Sequence, residues 1–243
     1  MKFAVIAAGE GTRLQAEGIA LPKPLVRVGS ERLIERLLRI FMENDAEEVV
    51  VICNGHDAQT LAYLQERQAL GLPLRIVVQS TPSSMHSLWA MRPFLSDAPF
   101  CLTTVDTVFG EEAFARYLCR FREVLALEGD GLMGVTDYVD DEKPLYVRFD
   151  DAMGVQAFAD VAATPEDTPW VSAGVYGLTP RCWATLQRCV ERGEQRMRNF
   201  QRALLADGLV LEAFPMGMVM DVDHASDIDR AAQLIDFQTK NNH

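Results

Sequence analysis

Apolar runs of strand length alternate with helical patterns from the start of the chain, and this alternation constrains the fold more than any other feature. The runs lie at residues 3–8, 48–53, 74–78 and 100–105. Hydrophobic residues recur at helical spacing between them. Such alternation is typical of parallel β-α-β units. We therefore predict a three-layer α/β/α sandwich, with helices on both faces of a mixed, mainly parallel sheet.

The pattern changes after residue 130. Strand-like segments at 132–136, 145–149 and 155–158 follow one another with only turns between them. This spacing indicates antiparallel strands beside the parallel part of the sheet. We predict one domain over residues 1–243, with an embedded part at roughly residues 130–220. A surface loop is expected at 164–169, because this segment contains two prolines.

The composition excludes several classes of function. With 35 acidic and 23 basic residues, the net charge is -12, which argues against a nucleic-acid partner because such partners are held by clustered Lys and Arg. The five cysteines show no CxxC spacing, so neither a zinc site nor a disulfide framework is indicated. No apolar segment is long enough to span a membrane. We expect a cytoplasmic protein without a membrane partner.

A glycine-containing loop follows the first predicted strand. It comprises Ala8, Gly9, Gly11 and Thr12 in the segment AAGEGTRL. Glycines let backbone amides approach phosphate oxygens closely, and the carboxyl end of a parallel strand is where such folds bind ligands. The loop lacks a third glycine and a GK[ST] ending, so it fits neither a dinucleotide motif nor a P-loop. By itself it is equally compatible with a tight turn.

Two cations flank this loop. Arg13 closes the glycine segment, and Lys23 stands between Pro22 and Pro24 in the segment LPKPL. The prolines restrict the backbone that directs the lysine side chain. Two cations on either side of the loop would hold a triphosphate.

The combination of AAGEGTR and PKPL resembles the motif of the sugar-phosphate nucleotidyltransferases, GxGTR followed after about a dozen residues by PKP. The resemblance implies the Rossmann-like fold of the nucleotide-diphospho-sugar transferases. It also implies that the loop amides hold a nucleoside triphosphate, that Arg13 screens the departing pyrophosphate, and that Lys23 contacts the reacting phosphates.

Carboxylates at two positions resemble the Mg²⁺ ligands of that family. Asp106 ends a strand in TTVDTVF, which is similar to the family's GDxxF motif except that Val105 replaces the glycine. The segment MDVDHASDIDRAA resembles the closing motif DVGTPEDL, in which the first aspartate completes the metal site. That alignment selects Asp221, whereas a variant found in cytidylyltransferases selects Asp223. Both remain candidates.

Further residues extend the resemblance to the base and the acceptor. Gln79 matches a residue that reads the base in many relatives, and Ser84 occupies the place of a small residue that follows it. Gly174 in VSAGVYGLTP resembles the glycine of the family's NAGIY strand, which lies against the sugar. The family's usual acceptor lysine is missing before this strand. Lys143 and Arg198 are therefore candidates to contact the acceptor phosphate.

The expected function is transfer of a nucleotide from a nucleoside triphosphate to a small phosphorylated acceptor, with Mg²⁺ as cofactor. A sugar 1-phosphate is the first acceptor to expect, bound within the 130–220 part. The segment MHSLWA is similar to choline-phosphate cytidylyltransferases, which makes choline phosphate or another phosphorylated alcohol the alternative. A nucleotide-binding regulatory protein without turnover is a third hypothesis. The oligomeric state is left open, and a homo-oligomer is compatible with the sequence.

Overall fold

The structure, a computed structural model, describes residues 1–140, 143–162 and 170–241; the loop expected at 164–169 lies outside them. The strands of the described residues are β1 (Lys2–Ala7), β2 (Arg27–Val28), β3 (Glu31–Arg32), β4 (Glu48–Cys53), β5 (Leu74–Val78), β6 (Phe100–Thr104), β7 (Thr107–Val108), β8 (Gly131–Thr136), β9 (Tyr146–Phe149), β10 (Val155–Ala159), β11 (Val171–Leu178), β12 (Leu211–Pro215) and β13 (Met220–Asp221). Nine of them form a central sheet in the order β10-β9-β11-β6-β1-β4-β5, with β8 pairing with β11 and β12. Two further two-stranded ribbons join β13 to β7 and β2 to β3.

Helices cover both faces of this sheet. Along β1, Phe3 and Val5 pack in one apolar core, whereas Ala4 and Ile6 pack in the other, because successive side chains of a strand point to opposite faces. The predicted three-layer sandwich around a mixed sheet is confirmed. The helices are α1 (Thr12–Ala16), α2 (Leu33–Glu43), α3 (Ala58–Ala69), α4 (Ser84–Leu95), α5 (Glu111–Ala126), α6 (Cys182–Glu191), α7 (Met197–Ala206) and α8 (Ala225–Asn241), with a 3₁₀ turn at Lys23–Leu25.

The parallel half of the sheet brings three loops together. Strand β1 pairs in parallel with β4 on one side and β6 on the other. The carboxyl ends of these strands therefore meet at one edge, where ligands bind in such sheets. The residues that follow them include Gly9, Asn54 and Asp106.

Strands β8 to β12 enlarge the same sheet. Strand β11 pairs in the antiparallel sense with β6 and with β8, and β12 then adds in parallel to β8. The antiparallel strands expected after residue 130 are thus present. Because β11 is a direct neighbour of β6, this part of the chain lies beside the loop that carries Asp106.

A cluster of buried aromatic rings packs beside the loop that carries Asp106. Phe109 is fully buried and stacks on Phe114 with ring centroids 4.7 Å apart, and Phe3 stacks on Phe41 at 4.5 Å. Stacked rings add to the stabilisation that their buried area supplies. Phe109 therefore anchors the turn that begins at Asp106.

No helix in the described part of the chain is long and apolar enough to cross a membrane. All five cysteines carry unpaired thiols: Cys119 is exposed, and the other four are buried.

Candidate active site

Gly11 adopts a backbone conformation that the loop requires. Its φ angle is 62°, in the left-handed region, and a Cβ atom at this position would lie 3.1 Å from the Cβ atom of Lys23. Glycine alone meets both demands without strain. The glycine loop therefore packs directly against the residue that supplies its main cation.

Lys23 forms the centre of the site. Its side chain is 10% exposed and donates hydrogen bonds to Asp106 and, at 2.6 Å, to Asp223. Arg13 donates to the other oxygen of Asp223 at 2.9 Å. Burial alone would lower the pKa of the Lys23 ammonium, but the Asp106 and Asp223 carboxylates outweigh it and raise that pKa above its usual range. The three predicted catalytic residues and one metal candidate thus form a single ionic cluster.

Asp221 lies near this ionic cluster. It belongs to the short ribbon of β7 and β13, in which it pairs with Thr107. The Thr107 hydroxyl donates a hydrogen bond to Asp221 at 2.9 Å. Asp221 is exposed on the side that borders an open cavity. Partial desolvation of its carboxyl group by the surrounding protein atoms, together with the nearby Asp106 carboxylate, raises the pKa of Asp221 to about 7.

Gly174 supports this ribbon from β11. Its φ angle is 70°, and a Cβ atom there would lie 3.0 Å from the Thr107 hydroxyl oxygen. The glycine therefore permits β11 to approach the threonine that orients Asp221. It is absent from the lining of the neighbouring cavity, which includes Ser172 and Ala173.

The glycine loop opens on a cavity of about 630 Å³. We name it the donor cavity after the predicted donor-site residues that line it. Its walls bring together loops that follow β1, β4, β5 and β6. Most predicted donor-site residues line it: Ala8, Gly9, Gly11, Thr12, Arg13, Lys23, Ser84, Asp106 and Asp223.

Gln79 lines a side pocket of about 420 Å³ next to the donor cavity, together with His86 and Trp89. Thr81 and Pro82 border both the side pocket and the donor cavity. Helix α4 begins at Ser84, where the Ser83 side chain caps its first turn by accepting from the His86 amide. The predicted base-reading residue thus stands beside the donor cavity and not within its lining.

A second cavity, of about 310 Å³, lies on the opposite side of the carboxylates. It shares Arg13 and Asp223 with the donor cavity. Its other walls combine apolar side chains from β11 and β13 with polar groups. The polar lining comprises Thr136, Tyr138, Asp140, Ser172, Asp221, His224, Ser226, Asp227 and Arg230.

Lys143 and Arg198 lie together elsewhere, beside a third cavity of about 790 Å³. Arg198 donates to the Lys143 carbonyl oxygen at 2.7 Å and to Asp160 at 2.6 Å. Pro144 borders both this cavity and the second one. The structure thus brings the two acceptor candidates close to each other and separates them from the carboxylates by the Pro144 segment.

Arg230 is a cation of the second cavity that sequence reasoning missed. It donates to the Tyr138 hydroxyl at 2.6 Å, to Asp140, and to Asp227 at 3.3 Å. Its spacing of three residues from Asp227 on one helix was the available signal, because such pairs face each other. Nothing in the sequence indicated that Tyr138 and Asp140 would lie opposite.

Glu17 was missed as well. One of its oxygens accepts from the Ala225 amide at 2.6 Å, and the other contacts Nδ1 of His224 at 2.6 Å. Asp227 accepts from the amides of Asp223 and His224. Ser226 lies within the first turn of α8, and these two carboxylates accept from the free amides at the start of the helix.

The carboxylates suit a hard divalent cation such as Mg²⁺, which prefers oxygen ligands and retains water or substrate phosphates. Among the described residues, no group of three or more His, Cys, Asp and Glu side chains is arranged to hold a metal ion alone. An ion at Asp106 and Asp221 would take its remaining ligands from elsewhere. The ion would also relieve the repulsion from Asp106, which adds to desolvation in raising the pKa of Asp221.

Replacing Asp221 by Asn should stabilise the protein more at pH 8 than at pH 5. A carboxyl group whose pKa rises on folding costs stability as pH increases from its unfolded pKa, near 4, to its folded pKa, about 7. The neutral amide removes that cost. Thermal unfolding in chelator at both pH values measures the difference, and an Asp221→Asn gain in Tm that is equal at both would contradict the shift.

Comparisons with known proteins agree with this geometry. The uridylyltransferase AglF of Haloferax volcanii, named as acting on UTP and glucose 1-phosphate, is 25% identical over 246 residues, spanning 98% of each chain. A bifunctional IPC transferase and DIPP synthase of Archaeoglobus fulgidus is 24% identical over 242 residues, covering 95% of this chain and 43% of the relative. This chain spans about a third of the length of several such bifunctional relatives.

The fold also matches a solved structure. The inositol-1-phosphate CTP transferase of T. maritima superposes with a TM-score of 0.78 at 17% identity, covering 98% of this chain and 96% of that one. The model of the family described as Nucleotidyl transferase matches residues 2–236. The chain therefore belongs to the nucleotidyl transferase family.

Proposed function

We propose that this protein is a Mg²⁺-dependent nucleotidyltransferase that moves a nucleoside monophosphate from a nucleoside triphosphate to a small phosphorylated acceptor and releases pyrophosphate. One observation carries the proposal. Lys23, Arg13, Asp106 and Asp223 form an ionic cluster at the junction of two cavities, one beside the glycine loop and one lined by Asp221. A donor and an acceptor in these cavities would meet at the cluster.

The donor side holds and neutralises the triphosphate. The amides of Gly9 and Gly11 would face phosphate oxygens, and Arg13 and Lys23 would exchange Asp223 for the phosphates. Such preorganised cations stabilise the charge that develops on departing pyrophosphate. Mg²⁺ bound by Asp106 and Asp221 would supply additional charge stabilisation on the phosphates.

We assign Asp221, and not Asp223, as the partner of Asp106 in that metal site. Asp223 already uses one oxygen on Lys23 and the other on Arg13. Asp221 has only the Thr107 hydroxyl as a hydrogen-bond donor among the described residues. Asp223 then acts as the counter-ion that holds both cations in place before the nucleotide arrives.

The acceptor side requires orientation and no side-chain base. A phosphate monoester is ionised near neutral pH, so its oxygen attacks the α-phosphorus directly while the bond to pyrophosphate breaks. His86 contacts the Ser83 hydroxyl at 2.8 Å and lines the cavity beside Gln79. We therefore give it no role in proton transfer.

Sugar 1-phosphates are the first acceptors to test, since relatives are named for glucose 1-phosphate and inositol 1-phosphate. The second cavity favours a further class. Asp140 has one oxygen to which no described residue donates a hydrogen bond, Tyr138 lies beside it, and apolar side chains line the same cavity. Carboxylates and aromatic rings hold alkylammonium groups, so choline phosphate and related amino-alcohol phosphates are the second candidates.

Pyrophosphate release tests the proposal. We expect turnover for at least one pair when four nucleoside triphosphates are combined, in the presence of Mg²⁺, with sugar 1-phosphates, inositol 1-phosphate and choline phosphate. Asp106→Asn and Lys23→Ala should each lower kcat at least about a hundredfold, because the first removes a proposed Mg²⁺ ligand and the second removes a cation that would face the phosphates.

The exposed Asp236 provides a matched control, and Asp236→Asn should keep the wild-type rate. Circular dichroism confirms that each variant is folded. Triphosphate binding without turnover for every pair would instead indicate the non-catalytic regulatory protein. Full activity of Asp106→Asn would refute the metal assignment.

Replacing Arg230 by Gln should raise the KM for the acceptor about tenfold or more and leave the KM for the triphosphate unchanged. A charged hydrogen bond to an anionic ligand contributes this much, and Arg230 lines only the second cavity. Steady-state kinetics with the best acceptor measures both constants. If Lys143→Ala or Arg198→Ala raises the acceptor KM and Arg230→Gln does not, the third cavity holds the acceptor.

The cytoplasmic location and the absence of a nucleic-acid partner remain predictions from the sequence. The same applies to a homo-oligomer. The single domain over residues 1–243 is likewise proposed.

A further inference from the structure

The segment after the glycine loop, residues 13–17, is joined at two points to the turn at residues 221–225, which bears Asp221 and Asp223. Arg13 contacts Asp223 at 2.9 Å, and Glu17 contacts both Nδ1 of His224 and the Ala225 amide at 2.6 Å. These partners are more than 200 positions apart in the chain. The two halves of the donor site are therefore joined by side chains of α1 and the residue that follows it.

The two ties differ in how a nucleotide affects them. An incoming triphosphate competes with Asp223 for Arg13 and Lys23, because both are cations and phosphate oxygens are strong acceptors. Glu17 is an anion, so the triphosphate offers it nothing to bind. Its contacts with His224 and Ala225 can persist while the cations exchange partners.

The β7–β13 ribbon and a backbone hydrogen bond to the loop after β6 also hold this turn. Asp227 accepts from the amides of Asp223 at 3.0 Å and His224 at 2.7 Å, and Glu17 takes the next amide in the series. Carboxylates are favourable at this end of a helix because of its dipole. Asp227 belongs to α8 itself. Among the described residues, Glu17 is therefore the anion that joins the turn to the segment after the glycine loop, beside the cations of the ionic cluster.

We propose that Glu17 is a positioning residue, which keeps the turn bearing Asp221 and Asp223 against the glycine loop while Arg13 and Lys23 transfer to the triphosphate. This inference rests on the proposed nucleotidyl transfer. Glu17 touches no reacting atom. It acts through the placement of the carboxylates.

The test compares Glu17→Gln with Asp229→Asn, a matched change on the exposed face of α8. We expect Glu17→Gln to lower kcat about tenfold and to raise the Mg²⁺ concentration for half-maximal rate several-fold. Asp229→Asn should match the wild type throughout. His224→Ala, which leaves the Ala225 contact, should give a smaller loss of the same kind.

A second readout does not depend on turnover. Calorimetry of the triphosphate with Mg²⁺ should show several-fold weaker binding to Glu17→Gln, whereas binding measured in chelator should be unchanged. Wild-type kcat and Mg²⁺ requirement in a folded Glu17→Gln protein would overturn the inference, and so would an equal loss of binding with and without Mg²⁺. Failure of the proposed function is distinct, since the wild type itself would then release no pyrophosphate.

Discussion

The ionic cluster around Lys23 is the interaction on which the rest of the site depends. A nearly buried ammonium group placed between Asp106 and Asp223 joins the 3₁₀ turn, the end of β6 and the start of α8. Burying any one of these charges without its partners would be costly. The cluster therefore fixes three distant segments in one geometry, and the two cavities open on either side of it.

The same cluster explains how an acidic protein would bind a polyphosphate. The net charge of -12 is unfavourable for an anion at long range, yet Arg13 and Lys23 already face the donor cavity. Their present partners are the carboxylates of Asp106 and Asp223. A divalent cation would take over Asp106 when phosphates claim the lysine and arginine. Local exchange of partners, and not net charge, would govern binding.

Much of the fold followed from the sequence because it rests on long periodic segments. The bounds of β4 and β5 match those predicted, since each is a run flanked by clear turn residues. The ribbon of β7 and β13 was missed, because two-residue strands carry no periodicity. That ribbon nonetheless sets the position of Asp221 beside Thr107.

The donor half of the site was predictable and the acceptor half was not. Gly11, Arg13, Lys23 and Asp106 belong to short motifs whose spacing has a chemical reason, and the structure brings them together. Arg230 could not be identified from the sequence, because its hydrogen bonds to Tyr138 and Asp140 form only in the folded chain. Pairings between segments so far apart leave no trace in local sequence.

Calorimetric titration of the wild-type protein with a nucleoside triphosphate, in Mg²⁺ and in chelator, tests the central claim most directly. If Asp106 holds Lys23 until a metal ion takes that carboxylate together with Asp221, the triphosphate should bind at least about tenfold more tightly with Mg²⁺, and Mg²⁺ alone should bind weakly. Equal affinity of the triphosphate in Mg²⁺ and in chelator would contradict the account.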